Sequence, residues 1–129
     1  MLGDNPIHPV LLATDLDAAR AFYHERLGLR ILVERPGAIE FVCGGGTKLV
    51  VSKSTTGTAD SQTQAGWSVP DLDATLAELR SRGVKIEDYD LPAFKTENGI
   101  VDLGFARMAF IVDPGGNALA ILQERAADR

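Results

Sequence analysis

Apolar positions along the chain fall into short strand-like runs and longer stretches with helical spacing, and the two kinds follow one another in the same order twice. Pro9 to Ala13 and Ala65 to Val69 are compact apolar runs that predict strands. A helix is predicted after each. Leu72, Leu76 and Leu79 stand at i, i+4 and i+7, giving the second helix one apolar face; Leu16, Phe22, Tyr23 and Leu27 serve the first more loosely. Asp15 and Asp71 are placed as N-caps, with Asp17 and Asp73 in the first turns, where the helix dipole favours negative charge. Gly28 and Gly83 fall where a helix end needs a left-handed residue. Three more strands complete each half, at about 30–34, 39–43 and 48–53, then at about 85–88, 107–112 and 118–123.

The two halves also match residue by residue. Asp15-Leu16-Asp17-Ala18 recurs as Asp71-Leu72-Asp73-Ala74, and Leu27-Gly28-Leu29-Arg30-Ile31 resembles Arg82-Gly83-Val84-Lys85-Ile86. The closing segments from Val42 to Val51 and from Val112 to Ile121 align as well. Gly44-Gly45-Gly46 and Asp113-Pro114-Gly115-Gly116-Asn117 are hairpin turns built from residues that tolerate positive φ. Gly44-Gly45-Gly46 has the glycines of a phosphate loop but neither the following helix nor its Lys and Ser/Thr, so a turn is the better reading. The chain is therefore an α+β protein of two β-α-β-β-β modules forming curved mixed sheets around a cleft. Module 1 spans about 5–53, a polar linker 54–63, and module 2 about 64–125, all within one domain, 1–129. Clefts between modules are common ligand sites. The second module carries an insert, Tyr89 to Ala106, expected to be a ligand-facing lid or a surface loop.

Composition narrows the function classes. A net charge of −5 argues against nucleic acid, whose phosphates need a basic face. No run approaches the roughly 20 apolar residues that span a bilayer. The opening residues, Met1 to Pro9, show no basic stretch leading into an apolar one, so no secretory signal is expected. The lone Cys43 cannot form an internal disulfide, which fits a reducing cytoplasm.

Over nearly its whole length the chain resembles the vicinal oxygen chelate superfamily: glyoxalase I, bleomycin-resistance proteins, ring-cleaving dioxygenases and fosfomycin-resistance enzymes. The residues that carry the resemblance run from His8 to Asp17, then Phe22-Tyr23 and Leu27-Gly28-Leu29. In the second half they are Val69 to Ala74, Arg82-Gly83-Val84 and Asp113-Pro114-Gly115-Gly116-Asn117. The resemblance implies the two-module fold and, in metal-dependent members, four metal ligands, one on the first and one on the last strand of each module. His8 matches the first position and Gln64 the equivalent in the second module, whereas the carboxylate positions fall on Val50 and Ala120, which cannot bind a metal. One imidazole and one amide oxygen are fewer than the three protein ligands a catalytic site normally supplies. Glu124 shares a face with Ala120 but lies about 13 Å along the strand.

The strand faces expected to line the cleft carry His8, Val10 and Leu12; Lys48, Val50 and Ser52; and Gln64, Gly66 and Ser68. In the insert, Phe94, Lys95, Glu97 and Asp102 are candidate ligand contacts, and Glu40 is a further carboxylate on a neighbouring strand. Trp67 is expected on the helix-facing side, in core packing; His24 is expected in solvent, and Cys43 as a small apolar strand residue. The leading expectation is a protein that binds a small organic molecule through His8, Gln64, Ser52, Lys48 and the insert residues, without a metal, to sequester or sense it. The alternative is a lyase, isomerase, dioxygenase or thiol transferase holding a divalent ion through His8, Gln64 and a displaced carboxylate. A third reading is an accessory domain with a collapsed pocket. A homodimer is expected, because half of a curved sheet is otherwise left open to water.

Overall fold

The computed structural model describes residues 1–58 and 62–125, so linker positions 59–61 and the chain end at 126–129 lie outside the described residues. The chain divides into two compact units: Met1–Ser61 with Asp113–Asn117, and Gln62–Val112 with Ala118–Arg129. No helix among the described residues is long and apolar enough to cross a membrane.

In the first unit, β1 (Val10–Ala13), α1 (Leu16–Arg20), β2 (Arg30–Arg35), β3 (Ala38–Val42) and β4 (Lys48–Lys53) form a sheet in the order β1-β4-β3-β2. The pairing of β1 with β4 is parallel, and the rest is antiparallel. Alternation sends Leu11, Ala13, Ile39, Phe41, Leu49 and Val51 to the helix side, where they are buried with Ala19, Phe22 and Tyr23. Burying side chains of this size contributes about 1.5–3 kcal/mol each. Asp15 caps α1 by accepting from the Ala18 amide at 3.1 Å. The expected single helix changes pitch midway: Ala21–Arg26 is π-helical, closed by the Leu27 amide donating to the Phe22 carbonyl at 2.9 Å. The extra residue in that turn lets Phe22 and Tyr23 both face inward, with their rings 5.1 Å apart and edge-on.

The turn Asp113–Asn117 completes this unit. The buried Tyr23 hydroxyl donates to Asp113 Oδ2 at 2.6 Å, and Asn117 Nδ2 donates to the same oxygen at 2.7 Å. Asp113 Oδ1 accepts from the Gly115 and Asn117 amides. Asn117 Nδ2 also donates to the Leu12 carbonyl, and Thr58 donates to Asn117 Oδ1. Burial, and then the negative charge of Asp113, raise the Tyr23 phenol far above its usual range, so it stays a donor.

In the second unit, β5 (Thr63–Ser68), α2 (Leu72–Ser81), the hairpin β6 (Asp90–Leu91) and β7 (Phe94–Lys95), β8 (Val101–Asp102), β9 (Ala106–Val112) and β10 (Ala118–Glu124) follow in order. The main sheet runs β5-β10-β9-β8. Leu72, Leu76 and Leu79 of α2 are buried as their spacing requires, and both Asp71 and Gln123 Oε1 cap its first amides. Trp67 lies on the helix side with Ile121 but is only half-buried.

One expected element fails. Residues 85–88 form no strand: Glu87 alone bonds β9, its amide donating to the Phe110 carbonyl at 2.8 Å. The free edge of β9 goes instead to β8, pairing Val101 with Met108 and Asp102 with Arg107. Val84 and Ile86 are buried, which ties that segment down by side-chain packing rather than by a ladder.

Candidate functional site

The face of the first sheet opposite α1 is laid out by the pairing register. One row reads Val10, Val50, Glu40 and Val33; the next reads Leu12, Ser52, Ala38 and Arg35. On the other side of the Glu40 row, Lys48 stands beside Val42 and Arg30. The Val50 amide donates to the Pro9 carbonyl at 3.1 Å, so the pairing runs past the end of β1 towards the exposed His8. Val10 and Leu12 are 51% and 37% exposed, an apolar strip on an uncovered face.

Glu40 sits at the centre of that face and is buried. Lys48 Nζ donates to Glu40 Oε1 at 2.8 Å, and Arg35 Nε to Oε2 at 2.9 Å. These two hydrogen bonds, Lys48 first, hold the Glu40 carboxyl below the usual range and keep it ionised. Sequence reasoning weighed Glu40 only as a carboxylate within possible reach. The signal was there, however: the Gly44–Gly46 turn sets Val42 opposite Lys48, and counting two residues back puts Glu40 opposite Val50.

On the corresponding face of the second sheet, the part around Ala120 is covered by its own unit, while Gly66 and Ser68 on β5 stay exposed. Ala120 is 1% exposed and pairs with Phe110. Phe110, Val101 and Ala120 form an apolar cluster against which Tyr89, Phe94 and Met108 pack. The Tyr89, Phe94 and Phe110 rings meet edge-to-face at 5.4–5.7 Å. Phe94 therefore serves this cluster. Burial, then the charge of Glu87, raise the Tyr89 phenol. Gln64 lies at a register shift between β5 and β10, where its Oε1 accepts the Ala118 amide at 3.1 Å.

The remaining insert candidates line a different feature, a groove of about 870 Å³ between α2 and the insert, whose walls include Asp73, Arg80, Lys95, Glu97, Asp102 and Arg107. Arg107 grips Asp73 with two bonds, at 3.0 and 3.1 Å, lowering the carboxyl's pKa and raising the guanidinium's. Asp102 is held low first by the Gly104 amide and then by Arg125 and Arg107. Lys95 and Glu97 project from alternate positions around the buried Thr96, whose hydroxyl donates to Asp88 at 3.0 Å. The insert turns at Asn98-Gly99, both with positive φ, between the mutually bonded Glu97 and Ile100. That dipeptide is a strong hairpin signal, and it went unread in the sequence. The expected site residues thus fall into separate groups: Lys48 and Ser52 on the first sheet with His8 just before β1, Gln64 on β5, Phe94 beside Phe110, and Lys95, Glu97 and Asp102 on the groove.

The donor set does not fit a divalent ion. Among the described residues, no group of three or more His, Cys, Asp or Glu side chains could hold one. Glu40, the carboxylate in register with Val50, already has both oxygens bonded to cations. Cys43 is a half-buried free thiol, and the exposed His24 bonds the Leu29 carbonyl through Nδ1.

The family model described as Glyoxalase/Bleomycin resistance protein/Dioxygenase superfamily matches residues 6–121. Among solved structures, the chain is similar to an antibiotic-binding protein, TnmS3, from Streptomyces sp. CB03234, with 26% identity, a TM-score of 0.70, and 92% of this chain and 93% of that one covered. The bleomycin resistance determinant encoded on transposon Tn5 is 24% identical at a TM-score of 0.74, with coverage of 95% and 99%. A bleomycin-binding protein complexed with bleomycin is 24% identical at 0.72, with coverage of 94% and 99%. No curated protein matches the chain.

Proposed function

The chain belongs to the Glyoxalase/Bleomycin resistance protein/Dioxygenase superfamily, and from that premise we propose that it binds a small organic molecule on the open face of its first sheet, without a metal, to sequester or sense it. One observation carries the proposal. The face keeps an exposed apolar strip at Val10 and Leu12, with aliphatic Val50 beside it, and its nearest carboxylate, Glu40, is bound to Lys48 and Arg35. Such a face can hold a ligand by burying apolar surface and offering a few fixed polar groups, but it lacks the ligands for Lewis-acid chemistry. The antibiotic-binding protein of similar fold is in keeping with a binding role. His8 and Ser52 flank the strip and would orient the ligand by hydrogen bonds. The proposal extends to a homodimer in the cytoplasm, whose mass light scattering would report.

The test has two arms. The protein is incubated with Ni, Zn, Mn, Co and Fe(II), dialysed and analysed for bound metal, with His8→Ala alongside; a broad panel of organic compounds is then tried by thermal shift. The expected result is no metal in either protein and stabilisation by at least one compound class. Near-stoichiometric metal lost in the variant would overturn the metal-free reading and revive the metal-dependent enzyme. A panel in which no class stabilises the protein would refute binding.

A further inference from the structure

We propose that the molecule held on the first sheet is an amphipathic anion: a carboxylate or phosphate carried on an apolar body about the size of one substituted ring. The proposal rests on the binding reading above and adds to it the ligand's charge and shape.

Charge is locally reversed on this face. The chain as a whole carries −5. Yet the open face of the first sheet presents Arg30, Arg35 and Lys48, and against them a single carboxylate, Glu40. Each Glu40 oxygen takes one hydrogen from one cation, so the Lys48 ammonium and the Arg35 guanidinium keep most of their donors unspent. Arg30 is exposed beside them. Glu40 is buried, and its bonds hold two long side chains in place on a pleated surface before any ligand arrives. Part of the ordering cost that binding normally carries is thereby met in advance. A cationic ligand would instead compete with Lys48 and Arg35 for Glu40 and sit beside like charges, an arrangement that disfavours the wrong partner.

Neighbouring strands lie about 4.8 Å apart, so Val10 on β1 stands about 10 Å from Glu40 on β3, the point where the Lys48 and Arg35 head groups converge. That is the span from an aromatic or branched aliphatic body to its acidic head group. The apolar half of the ligand would cover Val10, Leu12 and Val50, and its head group would meet Lys48 and the Arg35 guanidinium.

The experiment is isothermal titration of metal-stripped protein at low salt with four probes that share one body: para-tert-butylbenzoate, para-tert-butylphenyl phosphate, para-tert-butylbenzamide and para-tert-butylbenzylamine. At least one of the two anions is expected to bind about tenfold or more tighter than the amide or the amine, and to weaken as salt is raised. Comparing benzoate with phosphate then identifies the head group. Lys48→Met and Arg35→Gln should each weaken the anion several-fold, up to about tenfold. If either variant does not fold, amide shifts of Val10, Leu12 and Val50 in the wild-type protein on adding the anion make the same assignment. Equal or tighter binding of the amine or amide would overturn the anion assignment while leaving small-molecule binding intact. So would unchanged affinity in both variants, which would place the anion elsewhere. Silence from all four probes also overturns the anion proposal, and the broader compound panel then decides whether binding itself survives.

Discussion

Replacing Tyr23 with Phe removes one oxygen from the interior and leaves the ring. Its hydroxyl is fully buried and donates to Asp113 Oδ2 at 2.6 Å; Phe22 and Phe41 pack on the ring at 5.1 and 5.5 Å. The packing should survive the substitution, so the loss isolates one hydrogen bond to a charged acceptor. Such bonds contribute about 1.5–3 kcal/mol, and the carboxylate keeps donors from Asn117 Nδ2 and from the Gly115 and Asn117 amides. The middle of that range, about 2 kcal/mol, is therefore expected, corresponding to a fall in Tm of about 6–10 °C for a chain of this size. Urea unfolding at neutral pH measures it directly, with an unchanged m-value confirming that the native state has not loosened. A Tyr23→Phe, Asp113→Asn cycle should show coupling between the two sites. A loss under about 0.5 kcal/mol, the size of an ordinary surface substitution, would refute the view that this buried carboxylate depends on the phenol.

Three other outcomes follow from the same geometry. Gly99→Ala would place a Cβ 2.5 Å from Ile86 Cγ2 at a φ of +80°, and should cost about 2–4 kcal/mol in urea unfolding, whereas Asn98→Gly should stay within about 0.5 kcal/mol. Phe110→Ala removes the ring on which Tyr89 and Phe94 both rest; a loss of about 3–5 kcal/mol is expected, together with faster hydrogen exchange at amides 89–100. The Glu40 carboxyl is held low in the folded state, so its contribution is present above the unfolded carboxyl pKa and fades as pH falls through the lower folded one; the stability difference between wild type and Glu40→Gln should shrink on acidification, and a constant difference would count against the pairing with Lys48 and Arg35.

The repeated framework was legible in the sequence because its signals are local. Asp15 and Asp71 cap the helices, Gly28 and Gly83 stop them with φ near +80°, and the Leu72, Leu76 and Leu79 face is buried. Family membership was legible for the same reason. The strand expected at 85–88 failed because alternation in a short segment cannot tell a ladder from an extended chain anchored by Val84 and Ile86. The linker at 54–63 read as plain polar spacing, yet the Ser54 hydroxyl accepts the Thr56 and Gly57 amides and Thr58 bonds Asn117, partners whose position depends on a turn nearly sixty residues later in the chain. At the site, Lys48 and Ser52 were placed correctly on the face by alternation. Gln64 stands at a register shift between β5 and β10, which is set by pairing energetics and leaves no mark on composition. Glu40 and Arg35 acquire their roles only once β2, β3 and β4 are in register.

The Asp113–Asn117 turn also imposes an order in time. Tyr23 and the Leu12 carbonyl are made 90 and 105 residues before the groups that satisfy them. A nascent chain that has emerged through residue 61 holds every strand of its first sheet and still lacks the acceptor for its most buried phenol. Cutting the chain in the linker would therefore not yield two self-sufficient halves: the first would lack its latch, and the second would carry an exposed loop whose Asn117 has lost its Leu12 and Thr58 partners. Five residues from late in the chain thus belong, structurally, to its first unit.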